Sequence, residues 1–238
     1  MGRKNSLPLY WIKNAAYLTG VPPYAALIRW MARRAKDDRA LLDVTKRTRF
    51  RGFSLRAYQV DEEILALLEE LRAKNCERVL EVGTARGGTL FLLLNTLPTT
   101  ARVVSVDLPS GEFGGGYPHW KIPLFRALKR KDQRLTLLRG DSQTVDMRKR
   151  VEGELGGPAD FILIDGDHSY EGAKRDFEIY RELVRPGGMI AFHDIVPGSE
   201  AKVGGVPRLW EELKPQFQHR ELVRDWGQGG YGIGVLYF

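Results

Sequence analysis

The run Arg78-Val-Leu-Glu-Val-Gly-Thr-Ala-Arg-Gly-Gly-Thr-Leu-Phe-Leu-Leu-Leu94 decides the fold. Its first five residues read as a buried strand, Gly83–Gly88 as a tight turn, and Thr89–Leu97 as an apolar helix. A strand that turns directly into a helix opens a βαβ unit, and the same alternation continues downstream. Apolar runs at Arg102–Val106, Leu135–Leu138, Asp160–Ile164 and Met189–Phe192 predict further strands. Between them, helical periodicity falls at Ile122–Lys131, Gln143–Glu154 and Tyr170–Val184. Upstream, Ile64, Leu67, Leu68 and Leu71 recur at helical spacing behind Asp61, which is placed to cap that helix. Near the end, Arg220–Arg224 and Gly232–Phe238 flank the glycine-rich turn Trp226–Gly230 and predict a hairpin. The expectation is an α/β protein with three α/β/α layers around a doubly wound sheet. That sheet is mostly parallel, with one antiparallel strand.

Composition supports a globular chain of one large domain: 238 residues, 43% hydrophobic and 28% charged. A lone cysteine, Cys76, excludes an internal disulfide framework and a cysteine zinc cluster. Charge is unevenly placed. Residues 1–56 carry 13 Lys/Arg against 3 Asp/Glu, whereas residues 57–238 carry 24 against 27. We therefore divide the chain into a basic helical N-terminal extension, 1–56, and a main domain, 57–238. Residues 22–36 predict a short helix opened by Pro22 and Pro23, with Ala25, Ile28, Met31 and Ala32 on one face. Such a helix packs on the body or a second subunit, so a homo-oligomer is expected; an interfacial anchor is the alternative. No stretch is apolar enough to span a bilayer, and Pro8 and Lys13 break the one signal-like run, so a cytoplasmic location is expected.

Ligands of open α/β sheets bind at the carboxyl ends of the strands. Each predicted strand delivers an acid there: Glu81, Asp107, Asp141, Asp165 and Asp194. The glycine turn is neither a dinucleotide fingerprint, because Ala85 replaces its second glycine, nor a Walker loop. Acids gathered on one rim repel each other, which calls for a metal or a cationic ligand to offset them. Asp107 follows Gly83 by 24 residues, where a carboxylate can take two ribose hydroxyls. The segment Leu108–Trp120, with three consecutive glycines and Phe113, Tyr117 and Trp120, is expected to form a lid.

Glu81–Thr89, Asp107, Gly140–Ser142, Ile164–Tyr170 and Arg185–Asp194 resemble class I S-adenosylmethionine-dependent methyltransferases, whose fold is Rossmann-like. The resemblance is to the branch with cephalosporin-hydroxylase-like proteins and metal-dependent sugar O-methyltransferases, and it covers about residues 60–238. It implies that Glu81, Gly83, Thr84 and Gly87 bind the methionine part of S-adenosylmethionine, that Asp107 binds the ribose, and that Asp141 and Ser142 flank the adenine. Asp165 belongs to the cofactor rim and, with Asp194, matches positions that ligate Mg²⁺ or Mn²⁺. His193 stands where those relatives carry an acid, which leaves three readings: a ligand of an ion softer than Mg²⁺, a residue outside the ion's coordination, or a site with no metal. Asp167 matches the proposed base, and His168 beside it has the pKa suited to proton transfer.

The implied function is an O-methyltransferase acting on a hydroxyl of a small molecule such as a sugar, natural product or phenol, with a divalent metal as a possible aid. Two other readings stand beside it. One is a non-methylating partner of a hydroxylase. The other is a nucleic-acid methyltransferase, disfavoured because no Asn/Asp-Pro-Pro-Tyr motif ends the fourth strand.

Overall fold

The computed structural model of the chain describes residues 7–50, 53–109 and 116–238. Its central sheet contains β3 (Arg78–Val82), β4 (Arg102–Asp107), β5 (Arg134–Arg139), β6 (Ala159–Ile164), β7 (Val184–His193), β8 (Gln218–Leu222) and β9 (Ile233–Tyr237). They lie in the order β5-β4-β3-β6-β7-β9-β8. β5, β4, β3, β6 and β7 are mutually parallel; β9 runs antiparallel to both of its neighbours. The strand order reverses between β3 and β6, which opens a crevice at their carboxyl ends.

Strand residues alternate between two apolar cores, which is why the strands read as unbroken apolar runs. Val79, Val103, Phe161 and Met189 enter one core. Leu80, Val104, Ile162 and Ile190 enter the other. The first core is covered by α3 (Asp61–Ala73), α4 (Gly88–Thr96) and α5 (Lys121–Leu128). The second is covered by α6 (Val145–Leu155), α7 (Tyr170–Tyr180) and α9 (Val206–Leu213). Short α8 (Glu200–Val203) links β7 to α9.

Three local expectations change. The N-terminal helix, α1, runs from Leu7 to Arg34 with Pro22 and Pro23 inside it rather than at its start. The two prolines remove N–H donors from the helix ladder. Burial of Val21, Tyr24, Ala25 and Ile28 in the same core as Leu90 and Phe125 holds the helix through that defect. Second, residues 38–47 form an unexpected helix, α2 (Asp38–Arg47), capped by Asp37, and a two-residue hairpin follows, β1 (Arg49–Phe50) with β2 (Phe53–Ser54). Third, Asp61 lies in the first turn of α3, where Val60 is the cap residue and Asp61 instead pairs with Lys46.

Candidate active site

The carboxyl ends of β3 and β4 form a cradle. Glu81 is fully buried and accepts a hydrogen bond from Ser105 Oγ, and the Ser105 and Thr84 hydroxyls are bonded to each other. Burial pushes the Glu81 carboxyl up to about 8 against the pull of that Ser105 bond, and the charges of Asp165 and Asp107 raise it further. Its second oxygen, Oε1, is buried without a hydrogen-bond partner among the described residues. Asp107 Oδ1 accepts the Gly116 N–H at 3.1 Å, and Oδ2 is likewise buried and unpartnered. Burial raises the Asp107 carboxyl despite the backbone N–H groups that surround it. The Tyr117 hydroxyl is a third orphan here, with its ring edge-on to Phe125 at 4.9 Å. Buried carboxylate oxygens without donors are costly unless a ligand supplies donors or positive charge. The methionine ammonium, sulfonium and ribose hydroxyls of S-adenosylmethionine are such groups, so the cradle fits that cofactor.

The turn between β3 and α4 must be glycine at Gly83. Its φ is +98°, and a Cβ there would stand 1.9 Å from the Asp165 carbonyl oxygen. Gly87, at φ +81°, would drive a Cβ into the Phe125 ring. Close approach of β3 to β6 at this point is what brings the cradle against the second cluster.

That second cluster joins the ends of β6 and β7. His193 Nδ1 lies 3.1 Å from Asp165 Oδ1 and 3.3 Å from Asp194 Oδ2. His168 Nδ1 is 3.3 Å from Asp194 Oδ2, and its Nε2 is 3.5 Å from Asp165 Oδ1. Two imidazoles thus bridge two carboxylates. His168 Nδ1 also meets the Lys202 carbonyl at 2.9 Å, which fixes the ring. Asp194 adopts φ +64°, an uncommon conformation for a non-glycine residue, and Tyr231, also at φ +64°, donates its N–H to Asp194 Oδ1 at 2.9 Å. Burial opposes charge on Asp165, but the two histidines overturn that and hold its carboxyl well below the usual range. Burial works against charge on His168 too; Asp165 and Asp194 outweigh it and raise the imidazole to about 9.

Potential metal-ligand atoms of Asp165, His168 and Asp194 all lie within 4.8 Å of one another. The donor set of two carboxylates and one imidazole suits Mn²⁺, Fe²⁺ or Zn²⁺ better than Mg²⁺. His193 is not in that converging set; it contacts both acids from a buried position.

The five rim acids do not form one cluster. Glu81 and Asp107 line the cradle and Asp165 and Asp194 line the second cluster. Asp141 is exposed and accepts the Gln143 N–H within its own turn. The Ser142 carbonyl accepts from the Tyr180 hydroxyl at 2.7 Å, beneath the same turn. Asp167 faces away from the histidines, accepting the Ser169 N–H at 2.9 Å and lying 3.5 Å from Gln143 Nε2. Repulsion between Asp165 and Asp194 is offset by His168 and His193, a source of charge that the sequence reading did not weigh. Of the expected lid, Tyr117 is docked on Phe125, and Phe113 with the glycines Gly114 and Gly115 lies outside the described residues.

The sequence reading also missed Gln59, whose amide Nε2 is 3.3 Å from Asp165 Oδ2, and Lys121, which burial lowers to about 8 beside Arg86 and Asp107. A cavity of about 510 Å³ opens on the second cluster between Tyr58, Arg86, Lys202 and Tyr231.

A family model described as a methyltransferase domain matches residues 80–195. The flavonoid 3',5'-methyltransferase of Vitis vinifera is 25% identical over 171 residues, covering 72% of this chain and 67% of that enzyme. The probable caffeoyl-CoA O-methyltransferase 3 of Dictyostelium discoideum is 26% identical over 127 residues; that match covers 53% of this chain and about half, 47%, of the relative. Among solved structures, the Bacillus cereus O-methyltransferase in complex with SAH superposes with a TM-score of 0.57 at 23% identity, covering 77% of this chain and 84% of that one. The Streptomyces achromogenes O-methyltransferase TomG in complex with SAM gives 0.55 at 18% identity, covering 87% and 89%. Residues 80–195 thus match a methyltransferase domain, on a fold shared with solved O-methyltransferases bound to SAM or SAH.

Proposed function

We propose that the protein methylates a hydroxyl of a small molecule held in the cavity over Asp165, His168 and Asp194. The observation that carries this reading is the convergence of those three side chains beside the cofactor cradle. When bound, S-adenosylmethionine supplies an electrophilic methyl on a sulfonium, and a divalent ion in the Asp165–His168–Asp194 set would acidify an acceptor hydroxyl. Glu81 and Asp107 fix the donor in the cradle, so that positioning supplies much of the acceleration. His168 donates Nδ1–H to the Lys202 carbonyl when neutral, and its Nε2, 3.5 Å from Asp165 Oδ1, is the atom that would take the hydroxyl proton or hold the ion. Asp194 and Asp165 orient that ring, and His193 holds both acids in place. Asp167 supports the α7 turn in this reading.

A metal-free version has its own support, because the two histidines already balance the two acids. In that version His168 acts as the base only after losing the proton that Asp165 and Asp194 hold on it, so activity rises with pH toward about 9. The acceptor cavity adjoins a groove of about 980 Å³ that shares Tyr58, Arg86 and Tyr231 with it and is also lined by Arg49, Arg56 and Arg224, with Asp61, which pairs with Lys46, and Glu62 the acids among its lining. Arg56 and Arg86 both approach the Tyr58 ring, at 5.1 and 5.3 Å. These guanidiniums suit an acceptor with an anionic far end, a character shared by the coenzyme A thioester in the Dictyostelium relative's name. Methyl transfer from labelled donor to a panel of anionic and neutral catechols and sugars, before and after EDTA and with Mn²⁺ or Mg²⁺ restored, tests the reading. Loss on chelation with rescue supports the metal-assisted form, and full activity in EDTA supports the metal-free form. No transfer to any hydroxylated acceptor contradicts O-methylation.

A further inference from the structure

The outward face of α1 and the end of α5 have no part in this chemistry. Between them lies a groove of about 800 Å³ whose floor is apolar, formed by Leu41, Phe91 and Leu128. Its rim carries Arg29, Arg33, Arg126, Lys129, Arg130 and Lys131, and among the described residues that line it none is acidic. None of the six makes an ion pair among the described residues. Arg130 is bonded to the Leu97 carbonyl and Lys129 to the Lys131 carbonyl; Asp132 is exposed next in sequence but outside the groove. On the solvent side of α1, Trp30 is 55% exposed and Leu27 38% exposed, and the Arg34 guanidinium lies 4.7 Å over the Trp30 ring. Residues 1–36 contain seven Lys/Arg and no Asp or Glu.

We propose that this face docks the protein on an anionic lipid surface. Cations around an apolar floor match a molecule with an anionic head and an apolar body. An exposed tryptophan on α1 is the side chain that partitions to a membrane interface. A nucleic acid could stack a base on Trp30 and use the cations but would leave Leu27 and the apolar floor without a role. Among the described residues no helix is long and apolar enough to cross a membrane, so the contact is peripheral. Lys129–Lys131 precede β5, whose far end leads to Gly140 and Asp141. The groove therefore lies at the sheet edge opposite the catalytic crevice, and docking leaves the crevice open to solvent.

The test is co-sedimentation of the full chain with vesicles of phosphatidylcholine alone or mixed with phosphatidylserine, at low and high salt. Binding to the anionic vesicles alone, released by salt, is expected. Arg33→Gln with Lys129→Gln removes two exposed cations and weakens binding about 25-fold, about five-fold for each. Trp30→Ala weakens the residual binding at high salt. All three substitutions leave thermal stability and methyl transfer in solution unchanged. Failure to sediment with anionic vesicles overturns the proposal, as does equal binding to neutral ones. Unchanged binding by the double variant overturns it as well. So does RNA binding without vesicle binding, or a dimer that Trp30→Ala dissociates.

Discussion

Asp107→Asn isolates the cofactor claim. In the wild type, Oδ1 accepts the Gly116 N–H, and Oδ2 is buried with no hydrogen bond of good geometry among the described residues. A ligand hydroxyl donating to Oδ2 makes a hydrogen bond to a buried carboxylate, worth about 1.5–3 kcal/mol. Asparagine keeps the Oδ1 acceptor for Gly116 but puts an amide in place of the charged oxygen. Its affinity for S-adenosylhomocysteine should fall about ten-fold, and that of Asp107→Ala toward 100-fold, since about 1.4 kcal/mol is a factor of ten. The pH dependence has a definite sign. Burial raises the Asp107 carboxyl, so acidification protonates it earlier than an exposed aspartate, removes the charged acceptor and weakens wild-type binding. The asparagine variant lacks that dependence. Calorimetric titration between about pH 5 and 8 measures both effects. Equal affinity of the two proteins at neutral pH, or the same slope with pH, refutes the placement of the ribose at Asp107.

Gly83→Ala should unfold the crevice, because its Cβ meets backbone 1.9 Å away and its φ is +98°; differential scanning fluorimetry should show a loss of several degrees and no cofactor-induced stabilisation. Trp210→Ala removes a fully buried side chain bonded through Nε1 to Glu221, at an expected cost of about 3–5 kcal/mol in urea unfolding. Asp160 accepts the N–H groups of Glu77 and Arg78 and pairs with Arg185; burial opposes its charge, and these partners lower its carboxyl overall. The stability it contributes is present above the ordinary aspartate range, near 3.9, and is lost as pH falls through the lowered value, so the gap between wild type and Asp160→Asn should close in acid.

The parallel strands were legible because both faces of each are buried, which makes Arg78–Val82 or Asp160–Ile164 a short apolar run bounded by turns. The antiparallel partner of β7 was legible from the glycines between Arg224 and Gly232. Helix α2 was not, because its buried Leu41, Leu42 and Val44 are interrupted by charges that look like a solvated stretch. Helix α9 was passed over between two glycine-rich segments, although Leu209, Trp210 and Leu213 carry its spacing. In the site, the type and place of each rim acid could be read, but not the direction of its side chain. Asp167 and His168 are adjacent in sequence, yet one turns toward Gln143 and the other toward Asp165 and Asp194. Gln59 gave no signal at all, because its role depends on a 106-residue separation from Asp165.

The central claim is that His168 and Asp194 serve the acceptor while the cradle serves the donor. The direct measurement is methyl transfer by His168→Gln and Asp194→Asn, with S-adenosylhomocysteine affinity measured on the same preparations. The account predicts turnover reduced at least about 100-fold, the scale of a lost proton-transfer group, with cofactor affinity within about two-fold of wild type. Wild-type turnover in both variants would contradict it, and so would a loss of cofactor binding equal to the loss of activity in a folded protein.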